Sequence, residues 1–230
     1  MNTIGSDECR QKIHDFQRGL LERKAEILPL VKWYTIGKGY EFEIGLEAAY
    51  EYAVLEYSFS FWQWGNDCSK IPNKKVSTDE LLEHLINIVG FSLYSDAGVA
   101  FYEPHFYQAV NEVGYYGFET EGFEDLLQVV KKPSNTIFAP KGTVEEFNPK
   151  LINKIHKWLV NKGDRIVYIY GALDTWSATA LVPSSKIDAL QIMMQNRSHG
   201  DARIKNMSEK DKMEMKNKLE TWLGMKIPQF

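Results

Sequence analysis

Cysteine is nearly absent: Cys9 and Cys68 are the only two in 230 residues. Two are too few for a disulfide framework, although one bridge stays open for an exported protein. No apolar run approaches the roughly 20 residues a membrane-spanning helix needs, so no membrane partner is expected. The opening Met-Asn-Thr-Ile-Gly-Ser-Asp-Glu has neither the basic head nor the apolar stretch of a secretory leader. Excess positive charge is missing too. Against 31 Asp and Glu stand 27 Lys and Arg, a net charge of −4, and nothing there calls for nucleic acid. His14, His84 and His156 fall in helical stretches, and no His or Cys shows metal-ligand spacing. No metal and no other cofactor is therefore expected. There is no internal repeat and no low-complexity segment.

What is present is the composition of a folded protein, 44% hydrophobic and 25% charged, enough for one large domain or two small ones. Aromatic residues reach 13% and are unevenly spread. The chain changes character near residue 133. Before that point it reads as helical. Ser6 caps a helix whose apolar residues Ile13, Phe16, Leu20, Leu21 and Ile27 follow the 3.6-residue period, with Pro29 just past its last turn. A second helix is expected from about Leu46 to Phe61, with Ala49, Tyr50, Ala53, Val54 and Tyr57 on one face. Ser77-Thr78-Asp79-Glu80 is a capping box opening a third. Two aromatic runs, Phe59 to Trp64 and Phe101 to Tyr107, are placed at helix ends, as core plugs or as the walls of a pocket.

The remaining hundred residues read as α/β. Asn148-Pro149 opens a helix with a buried stripe of Leu151, Ile152, Ile155, Trp158 and Leu159, ending at Gly163. Two short apolar strands follow, 165–170 and 189–194, and the 18 residues between them suit a crossover joining parallel neighbours. A last helix starts at Ser208 and buries Met213, Leu219, Trp222 and Leu223 before Gly224. Two parallel strands with open edges are only part of a doubly wound sheet, and would leave apolar surface and unpaired backbone groups exposed.

In open α/β sheets, functional groups gather beyond the carboxyl ends of the strands. There the sequence places Asp174 after the first strand and His199 after the second. Acid then histidine is the second half of the chain order found in α/β-hydrolase triads, in which a buried carboxylate fixes the imidazole tautomer and stabilises the imidazolium. An aspartate at a strand end also serves as a plain helix cap, and a loop histidine is commonly just solvated. The nucleophile is missing: Gly-x-Ser-x-Gly does not occur, and Gly90-Phe91-Ser92-Leu93-Tyr94 fails at its last position.

At these residues the chain resembles a known group. Leu173-Asp174-x-Trp176-Ser177 and Ser198-His199-Gly200-Asp201-Ala202-Arg203 are similar to the acid and histidine motifs of serine exopeptidases. Gln108-Ala109-Val110-Asn111-Glu112-Val113-Gly114 resembles a further stretch of that group. Ile4 to Arg10, Glu51 to Tyr57 and Phe61-Trp62-Gln63-Trp64-Gly65 look most like its secreted bacterial tripeptidyl aminopeptidase family.

The resemblance implies the C-terminal part of an α/β-hydrolase fold with a mainly helical lid, the first six strands not being among these residues. Residues 1–133 would be the lid and its return segment, and 134–230 the C-terminal part of the catalytic domain. Asp174 would orient His199, the general base. Glu56 and Glu112 would pair with the ammonium of a peptide substrate with a free N-terminus; Glu103 is a weaker candidate. Trp62, Trp64, Tyr115 and Tyr116 would line the pocket. The implied location is secreted or periplasmic, and the implied partner is the N-terminal half bearing the nucleophile, without which the chain would be inactive. The alternative is a non-catalytic peptide-binding or interaction module.

Overall fold

The computed structural model describes residues 3–144 and 146–228. By their contacts these separate into two compact units, Met1–Phe61 with Asn66–Pro149, and Trp62–Gly65 with Lys150–Phe230. Among the described residues the secondary structure is mainly helical with one two-stranded sheet.

The first unit is built from α1 (Asp7–Glu22), α2 (Lys24–Lys38), α3 (Leu46–Gln63), α4 (Thr78–Ile88) and α5 (Asp96–Gln108). Ser6 caps α1 by accepting the Cys9 amide, and the predicted apolar positions through Leu21 are buried. The helix does not continue to Ile27. The chain bends at Arg23, and Pro29 lies inside α2 rather than beyond a helix end. Proline costs α2 one backbone donor, and that loss is tolerated because Ile27, Val31 and Thr35 bury a face on either side of it. The capping box at Ser77 and Glu80 forms as read, each side chain accepting the other's backbone N–H.

Helix α3 is the centre of this unit. Ala49, Tyr50, Ala53, Val54 and Tyr57 are buried, but so are Tyr52, Leu55 and Phe59 on its other sides. A helix apolar all round is a core helix rather than a surface one. The run from Phe101 to Tyr107 forms the C-terminal half of α5, and most of it faces water; Phe106 is its buried member. Cys9 and Cys68 form a disulfide that closes a 59-residue separation. In the chain-entropy account such a link stabilises by about 4 kcal/mol.

The most polar feature of the core is one that sequence reading passed over. Glu51 on α3 has no exposed surface, and its carboxylate accepts from Lys24 Nζ at 2.7 Å and from the backbone N–H groups of Gln128, Val129 and Val130. Lys24, itself buried, also reaches Glu47 at 2.7 Å. Burial alone would raise the Glu51 carboxyl's pKa; Lys24 and the amides outweigh it and hold the group below the usual carboxylate range. This network fixes the irregular stretch around residues 128–130 onto α3.

The second unit contains α6 (Lys150–Lys162), β1 (Val167–Gly171), β2 (Leu190–Met194) and α7 (Glu209–Leu223). The strands pair in parallel with Val167 opposite Leu190 and Gly171 opposite Met194, as the crossover length predicts. Leu190, Ile192 and Met194 point to one face and pack with Met207 and Met215, against which Leu219 and Trp222 also lie. Two helix expectations fail here. The α6 stripe is not buried: Leu151 is 54% exposed, Ile155 44% and Trp158 51%. On α7, Met215 is the buried residue, while Met213 and Leu223 face water. A two-stranded sheet offers too little surface to cover both helices, so their apolar stripes outrun what they can bury.

Candidate active site

Two loops leave the carboxyl ends of β1 and β2 side by side. Backbone bonds join them: Ala172 N–H donates to the Met194 carbonyl at 3.0 Å, and Leu173 N–H to that of Arg197 at 2.9 Å. Gly171 allows this approach, since a Cβ there would stand 2.4 Å from the Arg197 carbonyl oxygen. Asp174 then caps the short turn Thr175–Thr179, one carboxylate oxygen accepting the Trp176 amide at 3.1 Å. Its other oxygen accepts from His199 Nδ1 at 2.8 Å.

That bond places the proton on Nδ1 and leaves Nε2 as the free basic nitrogen. The aspartate side chain is mostly covered, and that of the histidine is 44% exposed. A shielded carboxylate behind an accessible imidazole is the arrangement that lets a histidine take a proton from a hydroxyl and hold the resulting charge. Among the described residues no hydroxyl or thiol is hydrogen-bonded to Nε2.

Every residue of Ser198-His199-Gly200-Asp201-Ala202-Arg203 outside the imidazole has a local task or fits around one. Ser198 is buried and donates to Asp201 Oδ2 at 3.1 Å, tightening the turn. Arg203 donates to the backbone carbonyls of His199 and Ala202. From the end of α3, the Gln63 carbonyl accepts the His199 amide at 2.8 Å, and the Trp64 ring meets the imidazole edge-on with centroids 5.6 Å apart. The sequence reading quotes Gln63, Gly65 and Ser198 within motifs but assigns no task to them or to Gly171. Only the Trp-Gly pair at the end of an apolar helix hinted at a turn of this kind.

The remaining candidates belong elsewhere. Glu56 lies in the first unit, buried on α3, accepting from the Tyr116 hydroxyl and from Ser60 at 3.1 Å. Burial raises its carboxyl to about 7, against the opposing pull of those two hydrogen bonds. Tyr116 stacks on Phe59 at 4.0 Å and on Tyr115 at 4.6 Å, so the hydroxyl that meets Glu56 is carried by a packed aromatic group. Glu112 is half-buried in the turn after α5, and Glu103 is exposed on α5. Trp62 is buried, whereas Trp64 is about half exposed. Among the described residues no group of three His, Cys, Asp or Glu could hold a metal ion.

An aspartate-oriented histidine presented by loops after parallel strands is a geometry suited to acid–base chemistry. Comparison with known proteins narrows that chemistry. The family model described as PS-10 peptidase S37 matches residues 1–228, and the chain belongs to that family of serine peptidases, the tripeptidyl aminopeptidase group its motifs resemble. It is similar to the prolyl tri/tetrapeptidyl aminopeptidase of Streptomyces mobaraensis, with 28% identity over 178 residues. That match takes in 76% of this chain but only 37% of the relative, so the chain spans well under half of that protein. No solved structure matches.

Proposed function

We propose that this chain is the C-terminal portion of a serine exopeptidase that removes short peptides from a free N-terminus. The observation that carries the proposal is the 2.8 Å bond between Asp174 and His199 Nδ1 at the carboxyl ends of two parallel strands. Asp174 fixes the tautomer, and His199 takes the proton of a serine and returns it to the leaving amine. That serine comes with an N-terminal half carrying the first six strands, outside these 230 residues. Residues 1–133 form the lid and return segment, and 134–230 the C-terminal part of the α/β-hydrolase domain. Three buried hydroxyls in the second unit, those of Tyr168, Thr175 and Ser177, have no hydrogen-bond partner within it, which supports an incomplete sheet.

The substrate's ammonium is met by a carboxylate. Glu112 is the more accessible of the two; Glu56 becomes available only if Tyr116 gives way. Trp62 and Trp64 contribute apolar wall. A secreted or periplasmic location is supported by the Cys9–Cys68 bridge, which persists in oxidising compartments, and no helix among the described residues is long and apolar enough to cross a membrane.

The test is complementation. Alone, the chain should bind a free-amino tripeptide without cleaving it. Supplied with the nucleophile-bearing half, it should hydrolyse a tripeptide reporter, and a serine-reactive phosphonate should abolish that activity. Saturable binding with no hydrolysis in either case would make it a peptide-binding module instead.

A further inference from the structure

The acid of the pair is held at both oxygens, but the imidazole is hydrogen-bonded at one nitrogen and lies nearly half in water. One bond leaves the ring free to swing. The turn Trp62-Gln63-Trp64-Gly65, which ends α3 and belongs to the same compact unit as His199, supplies what the bond does not.

The end of α3 is a Schellman cap. Gly65 N–H donates to the Trp62 carbonyl and Asn66 N–H to that of Phe61, both at 3.1 Å, with Gly65 in the left-handed region at φ 68°. The cap satisfies the carbonyls of Phe61 and Trp62 and leaves that of Gln63 without an intrahelical partner. The His199 amide takes it at 2.8 Å. Gly65 makes the approach close: a Cβ there would stand 2.8 Å from the Ser198 Cβ. On the other flank the Trp64 ring lies beside Gly200, where a Cβ would sit at 3.9 Å in ordinary contact, so no glycine is demanded there. The indole thus lies against the histidine turn and meets the imidazole at an interplanar angle of 80°, an edge-to-face geometry that aromatic rings favour.

We infer that Trp64 is a positioning residue for His199: Gln63 pins the histidine backbone while the Trp64 ring restrains the imidazole in the orientation that meets Asp174. The inference rests on reading His199 as the general base, and it assigns Trp64 a task different from lining a substrate pocket. Because the indole is half exposed, replacing it should disturb folding far less than replacing a buried tryptophan.

The experiment uses this chain with isotopically labelled histidine. Nitrogen shifts give the tautomer populations of His199, and proton exchange at Nδ1 gives the lifetime of its bond to Asp174. The wild-type ring should be almost wholly in the Nδ1–H form. Trp64→Ala and Trp64→Leu should each raise the minor tautomer and speed Nδ1 exchange by about two- to tenfold, the range an edge-to-face pair supports, while Trp64→Phe should restore both. Trp64→Leu keeps apolar bulk, so it remains informative should the alanine variant melt early. Unchanged tautomer and exchange in the leucine variant would overturn the inference. Asp174→Asn separates the two claims: if it leaves the His199 tautomer as it was, the acid–base reading itself fails.

Discussion

The two units treat their polar groups in opposite ways. In the first, buried charge is answered inside the chain: Glu51 is met by Lys24 and three amides, and Glu56 by Tyr116 and Ser60. A disulfide ties the start of α1 to the turn that follows α3. In the second, three hydroxyls lack partners, an apolar helix face is open to water, and the sheet stops at two strands. Yet the second unit holds the acid and the histidine. The first unit answers its buried charges within itself, and its one buried side-chain polar atom without a hydrogen-bond partner among the described residues is His14 Nδ1. The second unit leaves buried hydroxyls and an apolar helix face unmatched around an aspartate–histidine pair, which is what the proposed completion by more sheet requires.

The sharpest way to break this contrast is in an assembled enzyme. There His199→Ala should lower kcat by a factor on the order of 10⁴, and Asp174→Asn nearly as much, with substrate affinity kept. Steady-state kinetics decides it; near-wild-type turnover in either variant would remove chemistry from the second unit. The corresponding insult to the first unit is Glu51→Ala, which leaves the buried Lys24 with Glu47 alone and releases three amides. Breaking a buried pair from one side should cost about 3–5 kcal/mol, read as a lower urea midpoint, with the 128–130 stretch losing amide protection.

How far these contrasts could be read from residues alone varies with the kind of signal. Ser6, Ser77 with Glu80, and Gly224 mark helix ends by local chemistry, and the structure has them where they were read. The parallel pairing followed from an 18-residue connection, and Asp174 and His199 from chain order after two strands. What failed depends on tertiary context. Periodicity gave α6 an apolar stripe correctly but could not say that most of it is left exposed among the described residues. Glu51 and Glu56 look alike as glutamates in an apolar helix; one is held ionised by a lysine and amides, the other pushed toward neutrality by burial. Residues distant in sequence, Lys24 and 128–130 for Glu51 and Tyr116 for Glu56, distinguish them. The break at Arg23 was missed because both helices keep the same apolar period across it.

Glu56 sharpens the contrast through pH. Its folded carboxyl titrates near 7, above the unfolded value, so the protonated group favours the folded state. The stability it contributes is fully present below about pH 4.5 and is lost as pH rises through about 7, amounting to about 3 kcal/mol. Glu56→Gln should remove that slope: the variant should match the wild type near pH 5 and exceed it near pH 8. Glu51 has the opposite sign, since its lowered carboxyl gives stability that is lost on acidification. A stability profile that keeps its fall between pH 5 and 8 in Glu56→Gln would assign the titration to another group.

The smallest expected effect tests the open face. Ile155 and Trp158 sit on the water-facing stripe of α6, so Ile155→Lys with Trp158→Lys should change the chain's own unfolding free energy by less than about 0.5 kcal/mol each, where a buried stripe would lose about 2–5 kcal/mol per residue. The same double variant should bind less hydrophobic dye and self-associate less, because it removes the patch rather than the core. Supplied with the nucleophile half, it should assemble poorly if this face is where additional helices or strands pack. A large loss of stability in the isolated chain would mean that α6 already has its cover, and the second unit would then be complete by itself. The difference between the two units would reduce to their polar groups alone.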